Sequence, residues 1–276
     1  MKYSINLTIY NRDFLIDRVL ASIKYFTIGD YELVIVLDGC TDNSEKICKG
    51  WKHQFKNFKL LYADDIGETL SNNIAMRNSD GKYIIIVQDD MIMTEHGWNQ
   101  RLTLPIEKFN DIFAVSARCT HNFRMNPKSQ EIYATEYNPK RWADILIHYD
   151  HAGVNHNTPR NKFVIRTSVI RGPLLLKHDI VKKLNYLDED FAPMDMDDHD
   201  LCYRAYKQLG MKCGVFVIGF LHEHKWGATR NPNDIWGLPN SYVLEANFKN
   251  CHLIVKRHPE MLGYTHNEER IIEETH

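Results

Sequence analysis

The strongest constraint in this 276-residue chain is the regular alternation of element types over its first ninety residues. Residues 5–10, 32–37, 58–62 and 83–87 are short apolar runs rich in β-branched side chains, the composition of buried strands. Between the first two, Leu15, Val19, Leu20 and Ile23 recur at helical spacing within residues 14–26. Asp42-Asn43-Ser44 supplies N-cap chemistry for a second helix, and residues 69–78 read as a third. Strands alternating with helices imply a mainly parallel sheet, whose ligands bind beyond the carboxyl ends of the strands. Tyr10-Asn11-Arg12, Asp38-Gly39 and Asp89-Asp90 each close one of these runs, so three polar clusters are expected to meet in one crevice.

Beyond residue 118 the pattern changes. Residues 119–166 have few periodic segments and read as a loop-rich region that shapes a binding face. Trp142, Tyr133, Tyr137 and Tyr149 there could stack on the rings of a ligand, although aromatic side chains in loops serve as often in ordinary packing. Periodicity returns at 164–176, followed by helices at 177–184 and 200–209, a strand at 214–221 and a last helix at 241–256. The expected organisation is a main α/β domain over 1–230, with halves at 1–118 and 119–230, and a helical extension over 231–276.

Charge and cysteine content exclude several functions. With 34 Lys plus Arg against 36 Asp plus Glu, nothing favours wholesale binding to nucleic acid or an anionic membrane, so any phosphate recognition must be local. Six scattered cysteines without a C-x-x-C pair argue against a zinc knuckle or dithiol centre and suit buried thiols in a reducing cytoplasm. The N-terminus runs straight into a strand pattern without a signal core, and the longest apolar stretches, such as 215–221, are too short to span a bilayer.

Three constellations can carry chemistry. Asp89-Asp90 ends the fourth strand, where carboxylates suit Mg²⁺ or Mn²⁺ shared with diphosphate oxygens; the bland alternative is two solvated acids in a turn. Asp195, Asp197, Asp198 and Asp200 crowd a helix start beyond what N-capping needs. A carboxylate among others resists ionisation, which suits a general base, although a helix N-terminus favours negative charge without any catalytic purpose. His222-Glu223-His224 follows the strand at 214–221 and could lend one nitrogen ligand to a metal held mainly by oxygen; a structural histidine is the commoner outcome.

Residues 7–12 and Val36-Leu37-Asp38-Gly39-Cys40-Thr41-Asp42-Asn43-Ser44 together resemble the opening of family 2 glycosyltransferases, which have the GT-A fold. Gly81-Lys82-Tyr83 through Asp89-Asp90 is similar to the strand leading into that family's aspartate motif. Gly172-Pro173-Leu174 and Asp197-Asp198-His199-Asp200-Leu201 resemble its acceptor-side segments. The resemblance spans roughly residues 3–229 and implies a Rossmann-like α/β sheet flanked by helices. It implies that Ile9, Tyr10, Asn11 and Arg12 border the nucleotide, that Asp38 accepts a hydrogen bond from the base, and that Asp89 faces the ribose. Asp90 and His224 would hold Mn²⁺ or Mg²⁺, Gly172 and Asp197 would face donor sugar and acceptor, and Asp198 would be the general base.

Two positions depart from the family pattern. Gln88 takes the first acidic place of the usual Asp-x-Asp, and Asn72 stands where an arginine often lies near the donor. The implied activity is inverting transfer of a hexosyl or N-acetylhexosaminyl group from a nucleotide sugar, UDP-linked by preference, to a glycan, lipid-linked or protein hydroxyl. A nucleotidyltransferase is disfavoured because the loop after the first strand lacks glycine, and intact Asp90 and Asp198 count against a non-catalytic sugar-nucleotide binder.

Overall fold

The structure, a computed structural model, describes residues 1–125, 128, 132–134, 159–222, 226–227 and 241–273. The expected alternation is present: β1 (Tyr3–Ile9), α1 (Ile16–Phe26), β2 (Tyr31–Asp38), α2 (Ser44–Trp51), β3 (Phe58–Ala63), α3 (Glu68–Arg77) and β4 (Tyr83–Gln88). A short β5 (Met91–Met93), α4 (Trp98–Lys108) and β6 (Ile112–Ser116) follow, none of which the sequence pattern assigned. Pro105 lies inside α4, and its Trp98, Leu102 and Ile106 are buried among polar neighbours that blur the helical period.

The middle of the chain supplies β7 (Thr120–His121), β8 (Phe123–Met125), β9 (Ile132–Ala134), β10 (Lys162–Arg166), β11 (Ser168–Val169), β12 (Leu174–Lys177) and α5 (His178–Lys183). After these come α6 (Asp197–Leu209), β13 (Lys212–Val215), β14 (Phe220–His222), α7 (Ser241–Arg257) and β15 (Glu268–Ile271). Nine strands form one sheet in the order β15-β10-β13-β6-β12-β4-β1-β2-β3. Only β12 and β10 run against the rest, so the sheet is mainly parallel in strand direction.

Side-chain alternation splits the core into two layers. Ile5, Leu7, Ile9, Ile35, Leu37, Ile85 and Val87 face one side, where Ile16, Val19, Leu20 and Ile23 of α1 cover them. Ile84, Ile86, Leu174 and Leu176 face the other, under Leu201 and Ala205 of α6. Each fully buried aliphatic side chain contributes about 1.5–3 kcal/mol, so the apolar stripe of α1 alone holds that helix to the sheet. Leu20→Ala would cost about 2–5 kcal/mol by leaving a cavity between them.

Two departures from the sequence pattern shape the site. The expected strand at 214–221 is two strands: β13 stays in the main sheet, while β14 pairs antiparallel with β5, Leu221 opposite Ile92 and His222 opposite Met91. Phe216, Val217, Ile218 and Phe220 are all buried, which is why the run reads as one strand, but the Gly219 N–H turns to Glu95 Oε2 at 2.6 Å and its carbonyl accepts from Thr94. The C-terminal extension contains the expected helix and also β15, which pairs with β10 at the sheet edge through Arg270 opposite Phe163 and Glu269 opposite Val164. Its three consecutive charged residues before a single isoleucine hide a strand whose pairing is long-range. Among the described residues no helix is long and apolar enough to cross a membrane. No disulfide joins the six cysteines.

Candidate active site

The crevice is built at the carboxyl ends of β1, β2 and β4, as the parallel topology requires. Asn11, in the left-handed region at φ 48°, accepts hydrogen bonds on Oδ1 from the backbone of Thr41 at 2.8 Å and Asp42 at 3.3 Å. Asp42 and Ser44 fasten the same junction, accepting from the backbone N–H of Asp13 and Arg12. These groups lock two neighbouring loops together. Ile9 is buried beneath them, and Tyr10 remains exposed at the rim. Burial, then Asp65 and Asp38, raise the phenol pKa of Tyr10.

Asp38 is nearly buried, and its two oxygens accept the N–H groups of Ile66 at 2.8 Å and Gly67 at 2.9 Å. Gly67 lies in the left-handed region at φ 87°, where a Cβ would stand 2.5 Å from Pro193 Cβ. Asn72 is fully buried in α3; its Nδ2 bonds the Glu68 carbonyl, and its Oδ1 has no partner among the described residues.

Asp89 accepts the Tyr10 N–H at 3.2 Å and pairs with Arg12 Nε at 3.1 Å. Burial, countered by Arg12 and reinforced by the Asp90 charge, pushes Asp89 up to about 6. Asp90 turns the other way, with its Oδ2 lying 3.2 Å from His222 Nε2. Burial opposes its ionisation, but His222, Arg118 and Arg12 hold it below the usual carboxylate range. Asp90 Oδ1 and His222 Nδ1 are buried without partners among the described residues. A hard carboxylate oxygen beside an imidazole suits Mn²⁺ or Mg²⁺, and such ions commonly take one or two protein ligands and fill the rest from phosphate and water. Among the described residues no three His, Cys, Asp or Glu side chains gather to hold a metal by themselves. His224 lies outside the described residues, as do Trp142, Tyr137 and Tyr149.

The acceptor-side segments reach the crevice because β12 enters antiparallel beside β4. Its N-terminal end therefore meets the carboxyl end of β4, and a Cβ on Gly172 would lie 2.3 Å from Gln88 Oε1. At φ 88° any larger residue is strained, and it would also have to displace the ends of the Gln88 and Met91 side chains. Arg171, 2% exposed, donates its backbone N–H to Asp198 Oδ2 at 3.1 Å and spreads its guanidinium over both oxygens of Asp197, one at 2.9 Å. Asp197 is fully buried and also accepts from Thr69 Oγ1 at 2.7 Å. Glu68 lies 3.1 Å from Arg171 Nε and accepts from Gln88, which in turn accepts from Arg118.

The acidic run is thus not a cluster of uncompensated carboxylates. Asp197 has Arg171; Asp200 has Arg204 at 2.6 Å and His258 at 2.7 Å. Among the described residues the hydrogen bonds to Asp198 come from backbone donors, Arg171 and His199, the latter at 2.8 Å, and the His199 ring lies 3.8 Å away. Asp197 and Asp200 are bound by side-chain donors, whereas among the described residues Asp198 has no side chain hydrogen-bonded to it. Sequence reasoning missed Arg171, Glu68, Arg118 and the pairing of His222 with Asp90. The adjacent Gly172 and the His-Glu-His triplet were the signals available for two of these.

Comparison with known proteins agrees with this geometry. The family model described as glycosyl transferase family 2 matches residues 4–171. An uncharacterized glycosyltransferase of Escherichia coli, YibD, is 22% identical over 179 residues, covering 65% of this chain and 51% of its own length. The chain spans about half the length of that relative. Among solved structures, S. aureus TarS 1-349 in complex with UDP-GlcNAc superposes with a TM-score of 0.51 at 14% identity, over 93% of this chain and 73% of that one. GalNAc-T7 with UDP, GalNAc and Mn²⁺ gives 0.66 at 13% identity, over 93% of this chain and 48% of that one. At such identity these likenesses speak for the fold alone, which is GT-A. With the family model covering more than half of its residues, the chain belongs to family 2 of the glycosyltransferases.

Proposed function

We propose that the protein moves a sugar from a UDP-sugar to an acceptor hydroxyl, with a divalent cation assisting and with inversion at the anomeric carbon. The observation that carries this reading is the placement of Asp198: among the described residues its carboxylate is held by the backbone N–H groups of Arg171 and His199, with no side chain hydrogen-bonded to it, beside the strand-end crevice. TarS and GalNAc-T7, whose folds this one shares, were crystallised with UDP-GlcNAc and with UDP, GalNAc and Mn²⁺.

In this mechanism the donor nucleotide lies along Tyr10, Asn11 and Asp38, with Asp89 toward the ribose. Asp90 and His222 would hold Mn²⁺ or Mg²⁺, with His224 as a further ligand. When bound, the ion neutralises charge on the departing diphosphate. Arg171 and Thr69 hold Asp197, which fixes the start of α6. Asp198 takes the proton of the acceptor hydroxyl; the freed oxygen pair forms the new bond to the anomeric carbon, and the bond to the diphosphate breaks with its electrons. Gly172 lets the Gln88 and Met91 side chains close against the backbone beside β4, where the donor sugar would lie. Fixing both substrates for in-line attack can lower the barrier by roughly 7–11 kcal/mol. The acceptor is a hydroxyl of a glycan, a lipid-linked saccharide or a protein. Residues 1–230 would form the catalytic unit, with 231–276 as a C-terminal extension.

The direct test is a panel of nucleotide sugars in thermal shift, with and without Mn²⁺. A UDP-sugar should raise the melting temperature only when the cation is present. Equal shifts without the cation would remove the metal from the mechanism, and no shift from any UDP-sugar would remove the donor class.

A further inference from the structure

The residues just before the acidic pair adopt an unusual backbone. Asp195 at φ 71° and Met196 at φ 64° are consecutive non-glycine residues in the left-handed region. Such a conformation is sparsely populated and persists where the surroundings over-determine it. The surroundings here are supplied by α7. Asn250, fully buried on that helix, donates its Nδ2 to the carbonyls of Phe191 and Met194 at 2.6 Å and of Asp195 at 3.2 Å. One turn face away, Lys249 Nζ donates to the carbonyls of Asp190 and Ala192, each at 3.0 Å.

The captured segment touches both parts of the site. Its Pro193 carbonyl accepts from Thr69 N–H at 3.0 Å, its ring packs on Gly67, and Gly67 N–H bonds Asp38. Two residues after the left-handed pair begins, the chain enters α6 at Asp197-Asp198. We infer that Asn250 is a positioning residue: by holding three carbonyls of residues 191–195 it sets the backbone from which Asp198 projects into the crevice. This rests on Asp198 being the general base. The helix lies outside the 4–171 stretch matched by the family model, so the device belongs to the C-terminal part of this chain.

Removing the amide leaves three carbonyls without their donor, and the strained turn is free to relax. In Asn250→Ala, hydrogen exchange should speed up at least about tenfold at residues 195–199 and at the Arg171 amide, while β1 and β4 amides stay protected. UDP release from the UDP-sugar that the wild type turns over fastest should fall about 10–100-fold in kcat, with donor affinity within about twofold. In an Asp198→Asn background the same change should cost less than about threefold, because two residues acting through one group are not additive. Multiplicative losses, or unchanged exchange at 195–199, would overturn the inference while leaving Asp198 as base. Full turnover by Asp198→Asn alone would overturn both. If Asn250→Ala does not fold, Lys249→Ala at an exposed position carries the test: faster exchange at 190–196 and a non-additive loss support the clamp, and wild-type exchange and turnover sink it.

Discussion

The two walls of the crevice are assembled by different means. On the nucleotide side, Asn11 reaches Thr41, Asp38 reaches Gly67 and Asp89 reaches Tyr10, so each polar side chain ties one strand-end loop to another within the parallel sheet. On the acceptor side, Asp197 is held by Arg171 and Thr69, Asp200 by His258, and the preceding turn by Asn250. The first wall follows from topology, because successive crossovers bring all strand ends to one edge. The second depends on charges that are buried and paired across the fold. Loss of a side chain on the first wall should therefore weaken binding, and loss on the second should damage turnover or stability.

The largest expected effect lies on the second wall. Asp198→Asn keeps the shape but removes the proton acceptor and turns an NH2 group toward one of the two backbone N–H donors, so turnover should fall by roughly 10² to 10⁴ while donor binding stays near wild type. Steady-state rates with saturating donor check this, and turnover within a few-fold of wild type would pass the role of base to Asp197 or Asp195. Arg171→Met should be the most destabilising change, costing about 3–5 kcal/mol in urea unfolding, because it leaves the Asp197 carboxylate buried without its partner. A loss below about 1 kcal/mol would show that Asp197 is not held as a buried ion.

The first wall should respond more mildly. Under the proposed mechanism Asp90→Ala should abolish the cation dependence of donor binding expected in thermal shift, because the carboxylate and the diphosphate would share the ion. Asp38→Ala should weaken UDP binding by about 1–3 kcal/mol, since Ile66 and Gly67 lose their acceptor and the base loses its partner. Calorimetry with UDP would expose the absence of any such loss.

The smallest effect is a pH dependence on the second wall. Burial opposes ionisation of Asp200, but His258 and Arg204 hold its pKa below the ordinary value. Its contribution is therefore complete above the unfolded carboxylate value of about 3.9 and is lost as pH falls through the lower folded value. Melting temperature should drop more steeply below about pH 4 in the wild type than in Asp200→Asn. Parallel pH profiles would mean that the α6 pairing with His258 adds nothing to stability.

Much of the first wall was readable without coordinates. Apolar runs with helical segments between them specify strand direction, and direction specifies which loops meet. Two elements were not readable for local reasons. Pro105 and the buried polar groups of α4 obscure its period, and the four buried apolar residues at 216–220 read as one strand where the chain crosses between two sheets. The acidic run at 195–200 announced a site, yet its meaning was changed by tertiary contacts, since Asp197 is neutralised by Arg171, 26 residues away, and Asp200 is bonded both by Arg204 one turn on and by His258, 58 residues away.

What the sequence by itself determined is the parallel core, the convergence of Tyr10, Asp38 and Asp89-Asp90, and the family. These depend on periodicity and on motifs contiguous in the chain. What only the tertiary structure decided is which acids are bound by distant side chains, that His222 faces Asp90, and that α7 grips the turn before Asp198. Those outcomes depend on where distant cations and amide donors come to rest, and a buried charge is defined by its partner in space rather than by its neighbours in sequence.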